Sequence, residues 1–368
     1  CPKCDTVNKV MFTAGEMQPW GNGTRAIVLA RNELLSADKN AGKDEVGREI
    51  YQEWRDLYEW DLLSFAKAMF PKLVPDWFCL YHLDSARAFK QRQGARGFKE
   101  VIAAPRGSAK TTFDVTIETI HDCVYSHEKF IIIASSTASL AVDKVKAIRF
   151  ELENNEMLRL IYGPMKSARW NQDDFVTTTG TRVMAVSPRT QVRGLNDRGN
   201  RPTKIVLDDC ENSEHVNTLA QREKMRNWFY QDIMKLGTTS TNIKLVGTSL
   251  HVDGLLENLF KNPGFASRRY RSVMKFSNES AQPTWEKWKN ILINIDNPNR
   301  MDEADTFFKE HEAEMTEGSE VLWPERENYM ELMKIRLFEG AMAFNYEKQN
   351  SPYSIEMQIF QMDEAGYF

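Results

Sequence analysis

The sequence predicts an α/β fold built on an open, doubly wound and mainly parallel sheet, and three observations carry that prediction. Four short runs, VIAA (101–104), FIIIASS (130–136), KIVLDD (204–209) and NIKLVGTS (242–249), are almost continuously apolar and close on small or polar residues. Strands buried on both faces of a parallel sheet read this way. Helical stretches lie between them, from Lys110 to Val124, Ala138 to Glu153 and Leu219 to Leu236, which gives a βαβ rhythm. Lys110, Asp208 and Thr248 fall at the carboxyl ends of the runs, where open α/β sheets bind ligands.

The elements follow in chain order. With 368 residues, 42% apolar and 27% charged, the chain can bury at least one full core and has room for two or three domains. Residues 1–48 mix Gly, Asn, Lys and Asp without sustained periodicity and read as an N-terminal arm. The arm opens on Cys1-Pro2-Lys3-Cys4, the spacing of half a zinc ribbon, but Cys79, Cys123 and Cys210 supply no second knuckle, so zinc at Cys1 and Cys4 is not expected. Five scattered cysteines suit a reduced compartment better than a disulfide frame. From Ile50 onward Trp54, Leu57, Tyr58, Leu62, Phe65 and Met69 recur at helical spacing until Pro71, a face that reads as core packing. Residues 49–280 are expected to form the core domain. Residues 281–368 shift to Trp, Asn, Glu and Met, with mixed-charge helical segments around 301–316 and 325–340, and read as a helical lid and linker.

No apolar run approaches the length of a bilayer span and no signal-peptide pattern opens the chain, so the expectation is a soluble cytoplasmic protein. The formal charge of −4 argues against a chain-wide nucleic-acid coat. Local basic stretches remain. Arg189, Arg193, Arg198, Arg201 and Lys204 stand against Asp197 alone, and Arg268, Arg269 and Arg271 form a second group.

AAPRGSAKTT, following the first apolar run, matches the spacing of a phosphate-binding loop with Ala104 and Ala109 at its two glycine positions, then Lys110 and Thr111. Such a loop converges backbone N–H groups on phosphate oxygens ahead of a helix N-terminus, while the lysine reaches the terminal phosphates and the hydroxyl holds magnesium. Pro105 to Thr112 are therefore candidate ATP contacts: Pro105, Arg106, Gly107, Ser108, Ala109, Lys110, Thr111 and Thr112. Gly107 retains one permissive residue. At the end of KIVLDDCE, Asp208 takes the metal role, and Asp209 or Glu211 activates the attacking water, with Glu211 slightly preferred for its longer reach. The competing reading is that these acids only end a strand and cap the next helix. Thr248, in LVGTS, stands where a hydroxyl can sense the terminal phosphate, and His251 reads as a packed histidine. Arg106 could stabilise developing charge in cis, and Arg193, Arg198 or Arg201 could do so as a finger offered to a neighbouring subunit, or grip a phosphate backbone.

Taken together, these stretches resemble the ATPase domain of the large terminase subunit of tailed double-stranded DNA phages. The similarity runs over roughly residues 75–360 and rests on APRGSAKTT, FIIIASST, VRGLNDRGNRPTKIVLDD, GTS, VLWPERENY and EGAMAFNYEKQNSP, in that order. It implies a P-loop ATPase of the ASCE type using ATP and Mg2+, and it makes FCLYH (78–82) the adenine-binding segment through Phe78 or His82. It also implies a homo-oligomeric ring docked on the portal protein of an empty procapsid in the host cytoplasm. There it would act with the small terminase subunit, translocate double-stranded DNA and have no membrane role. Asp-Asp-Cys-Glu departs from that family's usual Asp-Glu pair, and the chain stops at Phe368, before the nuclease domain the resemblance would place next, so DNA cleavage by that route is not expected. A helicase-like or remodelling ATPase and a nucleotide-binding regulatory module are the alternatives.

Overall fold

Eight strands form one sheet in the order β3-β4-β5-β2-β6-β7-β1-β8 in a computed structural model that describes residues 45–74, 78–92, 94–188, 194–197 and 199–352, the side chains of 45–50 excepted. The strands are β1 (Lys99–Ala103), β2 (Phe130–Ala134), β3 (Lys166–Trp170), β4 (Asp174–Thr177), β5 (Arg182–Val186), β6 (Lys204–Asp208), β7 (Asn242–Gly247) and β8 (Ala266–Arg269). From β5 to β8 every neighbouring pair is parallel, and only β3 and β4 join antiparallel at one edge. The fold is the α/β, mainly parallel class expected, and the four apolar runs are its central strands. The phosphate-loop strand β1 is separated from the acid-ended strand β6 by β7, the inserted strand of an ASCE-type P-loop fold.

Alternation along the strands supplies two cores. Ile131, Ile133 and Val206 point into one cluster with Phe65, Met69, Ile117 and Ile120. Val101, Ala103, Ile132, Ile205, Leu207, Ile243 and Leu245 point into the other with Trp228, Phe229 and Leu255. The first cluster is closed by α1 (Glu45–Tyr58), α2 (Leu62–Met69), α4 (Glu118–Tyr125), α5 (Ala138–Asn154) and α6 (Glu156–Tyr162). Between β1 and α4 the first turns after the loop, Thr111–Ile117, are π-helical. α3 (Leu80–Gln91) precedes β1, α7 (Leu219–Asn227) and a π-helical turn (Trp228–Ile233) lie between β6 and β7, and α8 (Leu255–Phe260) follows β7.

Strands β3, β4, β5 and β8 were not among the runs read from the sequence, and β3 and β8 are the two edges of the sheet. β3 is largely exposed, so no apolar alternation marks it. The almost continuously apolar run of β7 also holds a charge. Lys244 is wholly buried at mid-strand, compensated by Asp114 at 2.6 Å, by Glu118 and by Glu100 at 3.5 Å. A buried ammonium survives only with such partners. Lys204, counted above in the basic stretch, is likewise buried against Glu118 and Asp122, so it belongs to the interior and not to a DNA-facing surface.

The helical part has its own core. α9 (Gln282–Ile293), α10 (Arg300–Thr316), α11 (Tyr329–Phe338) and α12 (Ala341–Glu347) bury Trp288, Leu292, Ala304, Phe308, Met315, Leu332 and Phe344 together. β9 (Val273–Lys275) and β10 (Glu320–Val321) pair antiparallel and tie it to the end of the sheet region. The arm's first 44 residues, with Cys1 and Cys4, lie outside the described residues, and α1 begins at Glu45, inside the stretch read as arm. Among the described residues no helix is long and apolar enough to cross a membrane.

Candidate active site

The loop after β1 makes the turn its spacing demands despite the two alanines. Gly107 lies at φ 91° and Ala109 at φ 59°, both in the left-handed region. An L-residue there is disfavoured by roughly 1–2 kcal/mol, so Ala109 holds a conformation glycine would adopt freely. Ala104 has no such demand; its N–H donates to the Gly247 carbonyl at 3.1 Å and extends the pairing of β1 with β7. The loop is braced from the helical part. The Arg106 N–H donates to the Glu347 carbonyl at 2.8 Å, and Lys348 Nζ donates to the Arg106 carbonyl at 3.1 Å while paired with Glu327 at 2.6 Å.

Three adjacent strands, β6, β7 and β1, deliver their carboxyl ends to one point. Lys110 Nζ donates to Thr248 Oγ1 at 3.1 Å and lies 3.5 Å from Asp209 Oδ2. Thr111 Oγ1 donates to Asp208 Oδ2 at 2.8 Å. The Thr248 N–H donates to Asp209 Oδ1 at 3.2 Å, and Asp209 itself sits at φ 44°, turned back on β7 by a bond from its N–H to the Val246 carbonyl at 3.0 Å. Thus Lys110, Thr111, Asp208, Asp209 and Thr248, far apart in sequence, meet. Lys144 of α5 joins them unannounced by any motif, 3.4 Å from Asp208 Oδ2 and 3.1 Å from Ser135 Oγ.

Asp208 is fully buried, and burial with the neighbouring Asp209 raises its carboxyl to about 6, against the pull of Lys144, Thr111 and Lys110. Its Oδ1 has no hydrogen-bond partner among the described residues, and neither has the buried Ser108 Oγ. A buried carboxylate with one oxygen unsatisfied, beside a hydroxyl and a second carboxylate, is a donor set for a hard dication. The residues therefore fit magnesium with a polyphosphate.

Glu211 was preferred as the base, but its two carboxylate oxygens accept the N–H groups of Leu255 at 2.7 Å and Leu256 at 3.0 Å, capping α8. Of the two candidates, Asp209 is the one that reaches Lys110. His82 is buried and hydrogen-bonds the backbone of Ser108 in the loop. It lies between Phe113, at 5.1 Å, and Trp323, at 4.9 Å, with its Nδ1 accepting from the Cys79 N–H at 3.3 Å. Phe78 is half-buried, with Lys67 over its ring. Arg106 is exposed and leans on Glu347 at 3.5 Å. Arg201 precedes β6, at the amino ends of the strands, so it lies across the sheet from its own chain's loop and cannot serve it in cis. Arg193 and Arg198 lie outside the described residues. Arg268 is committed to the Asp84 carbonyl and Glu100, and Arg269 to the Asn350 carbonyl and Glu257, which leaves Arg271 alone exposed in the second basic group.

No protein-family profile matches the chain, and no curated protein does. Among solved structures, the fold is similar to those of large terminases. The HK97 bacteriophage large terminase superposes with a TM-score of 0.39 and 11% identity over 70% of this chain and 54% of its own. A mutant ATPase domain of the Thermus phage P74-26 large terminase gives 0.41 and 12% over 74% and 93%. The Phi-28 gp11 DNA packaging motor gives 0.32 and 9% over 60% and 67%. The chain spans about half the length of the HK97 protein. These superpositions are loose and transfer no residue role to this chain.

Proposed function

We propose that the chain is an ATP-hydrolysing motor domain that drives double-stranded DNA into a phage procapsid. The observation that carries the ATPase reading is the convergence of Lys110, Thr111, Asp208, Asp209 and Thr248 at the ends of three neighbouring strands, with Asp208 Oδ1 buried and unpartnered. Thr111 and Asp208 would hold Mg2+, which when bound supplies charge to the phosphate oxygens. The loop N–H groups and Lys110 bind and orient the polyphosphate. Asp209 accepts a proton from the attacking water, and its contact with Lys110 holds the carboxylate toward the loop. Thr248 links that carboxylate to Lys110 and so senses the terminal phosphate. Arg106 in cis, or Arg193, Arg198 or Arg201 from a neighbouring subunit, stabilises charge on the transferring group. Phe78 stands as the candidate contact to the adenine.

The packaging role rests on the ordered sequence motifs. It brings a homo-oligomeric ring, the portal protein and the small terminase subunit as partners, in the host cytoplasm at the procapsid. ATP turnover by the chain, with Lys110→Ala as control, tests the chemistry, and a DNA-uptake assay into procapsids tests the coupling. Turnover no greater than that of Lys110→Ala under every DNA and portal condition would leave a regulatory nucleotide binder. Strand displacement on a forked duplex without uptake would favour the helicase-like alternative. Mixing Lys110→Ala subunits with subunits lacking Arg193, Arg198 or Arg201 decides whether the finger acts in trans.

A further inference from the structure

Away from the nucleotide site, two histidines and an aspartate meet where α4 ends and turns toward β2. His121 and Asp122 lie on α4 and His127 in the turn after it, and each offers one donor atom within 4.8 Å of the other two. Both imidazoles are already oriented from behind. His121 Nε2 lies 3.0 Å from the Tyr58 carbonyl at the end of α1, and His127 Nε2 lies 3.2 Å from Glu59 Oε1. A carbonyl and a carboxylate can only accept, so each Nε2 carries a proton and, in the neutral ring, each Nδ1 presents a lone pair. This is the outer support that metal-bound histidines have.

The near side is short of protons. His121 is wholly buried and its Nδ1 has no hydrogen-bond partner among the described residues. His127 Nδ1 faces Asp122 Oδ1 at 4.0 Å, a lone pair opposite a carboxylate oxygen. Lys204 engages the other oxygen, Oδ2, and leaves Oδ1 to the histidines. Phe65, Phe89 and Tyr125 pack around His121 with centroids 4.5–4.9 Å away, which accounts for its burial but not for an unsatisfied nitrogen. A cavity of about 200 Å³ lined in part by Asp122, His127 and Glu128 leaves room for a water.

We propose that His121 Nδ1, Asp122 Oδ1 and His127 Nδ1 form a binding site for a transition-metal dication of the Zn2+ type, with water as the fourth ligand. Two imidazoles and a carboxylate suit zinc or cobalt and not magnesium. The ion would pin the end of α1, through Tyr58 and Glu59, to the helix that runs back to Lys110. This role is structural and independent of the ATPase reading.

The test uses the full chain carrying Cys1→Ser and Cys4→Ser, stripped with chelator and titrated with Zn2+ by calorimetry and with Co2+ by visible absorption. One equivalent of Zn2+ per chain, a raised unfolding temperature and the intense bands of four-coordinate Co2+ are expected. His127→Gln, and His121→Phe, which refills the aromatic cage, are each expected to weaken binding by about a hundredfold or more. Asp208→Asn is expected to leave it unchanged, which separates this ion from one at the phosphate loop. Absence of saturable binding, or binding that survives His127→Gln, overturns the proposal. Because His127 lies in a turn and is only partly buried, that variant decides the matter even where His121→Phe fails to fold.

Discussion

Asp208→Asn is expected to make the metal-free, nucleotide-free chain more stable while abolishing turnover. The wild-type carboxyl titrates at about 6, against an ordinary value of 3.8, because burial and Asp209 disfavour its charge more than Lys144, Thr111 and Lys110 favour it. Holding that charge at pH 7 therefore opposes folding by up to about 3 kcal/mol, at 1.36 kcal/mol per pH unit. An amide of the same shape removes the charge and keeps an acceptor for Thr111, so a gain of about 1–3 kcal/mol is expected, allowing for the loss of the Lys144 ion pair. The sign with pH follows. The folded state binds the proton more tightly than the unfolded chain, so the wild type regains stability as pH falls through 6 toward 3.8, and the advantage of the variant fades below that window. Urea unfolding of chelator-treated protein at pH 7.5 and pH 4 measures both effects. Adding Mg2+ and a non-hydrolysable ATP analogue should stabilise the wild type more than the variant, whose nucleotide binding is only partly kept. A variant less stable than wild type at pH 7.5 without ligand, or one with undiminished turnover, refutes the assignment of Asp208 as a carboxylate kept for a cation.

Asp209→Asn is expected to lower turnover by at least about a hundredfold with nucleotide binding largely kept. Glu211→Gln should keep turnover and change stability by no more than about 1 kcal/mol, since burial raises the Glu211 carboxyl and losing that charge offsets the weaker cap of α8; single-turnover kinetics showing lost turnover would point to Glu211 as the base. Ala109→Gly releases a left-handed alanine, and thermal unfolding is expected to show a gain within about 1 kcal/mol, the entropy of glycine offsetting part of the relief; a loss greater than that would mean that Ala109 is unstrained. Burial lowers His82 to about 3 from its ordinary 6.5, so the unfolded chain takes up a proton below pH 6.5 that the folded chain refuses. Stability from this group is complete above 6.5 and declines by about 1.4 kcal/mol per pH unit as pH falls toward 3. His82→Gln should flatten the wild-type slope between pH 6 and 5 by that amount, and equal slopes would show that the ring is exposed.

The central strands, the helices between them and the loop were legible because each is a local pattern. VIAA, FIIIA, KIVLD and NIKLVG are apolar at consecutive positions, and the loop spacing up to Lys110 is short enough to read directly. Placing Lys110, Asp208 and Thr248 together needed only the rule that the strand ends share one edge of a parallel sheet. What could not be read were choices made between distant side chains. Asp209 and Glu211 are chemically alike and two residues apart, and only the left-handed turn at Asp209 and the arrival of the α8 N-terminus over Glu211 separate their surroundings. Lys144 carries no motif, and no pattern around Lys348 shows that it braces the loop, because what matters is where α5 and the end of α12 pack. Lys204 and Arg268 read as surface charge until long-range partners, Glu118 and Glu100, drew them inward.

The amino-acid order by itself determined the α/β architecture, the loop turn after β1 and the strand ends on which the candidate site residues fall, since periodicity and spacing act over a few residues. Which carboxylate faces the lysine, which charges are buried and which histidine nitrogens lie against acceptors were decided only when the chain closed on itself. Those outcomes depend on desolvation and on pairings across dozens of residues, and no local pattern encodes them.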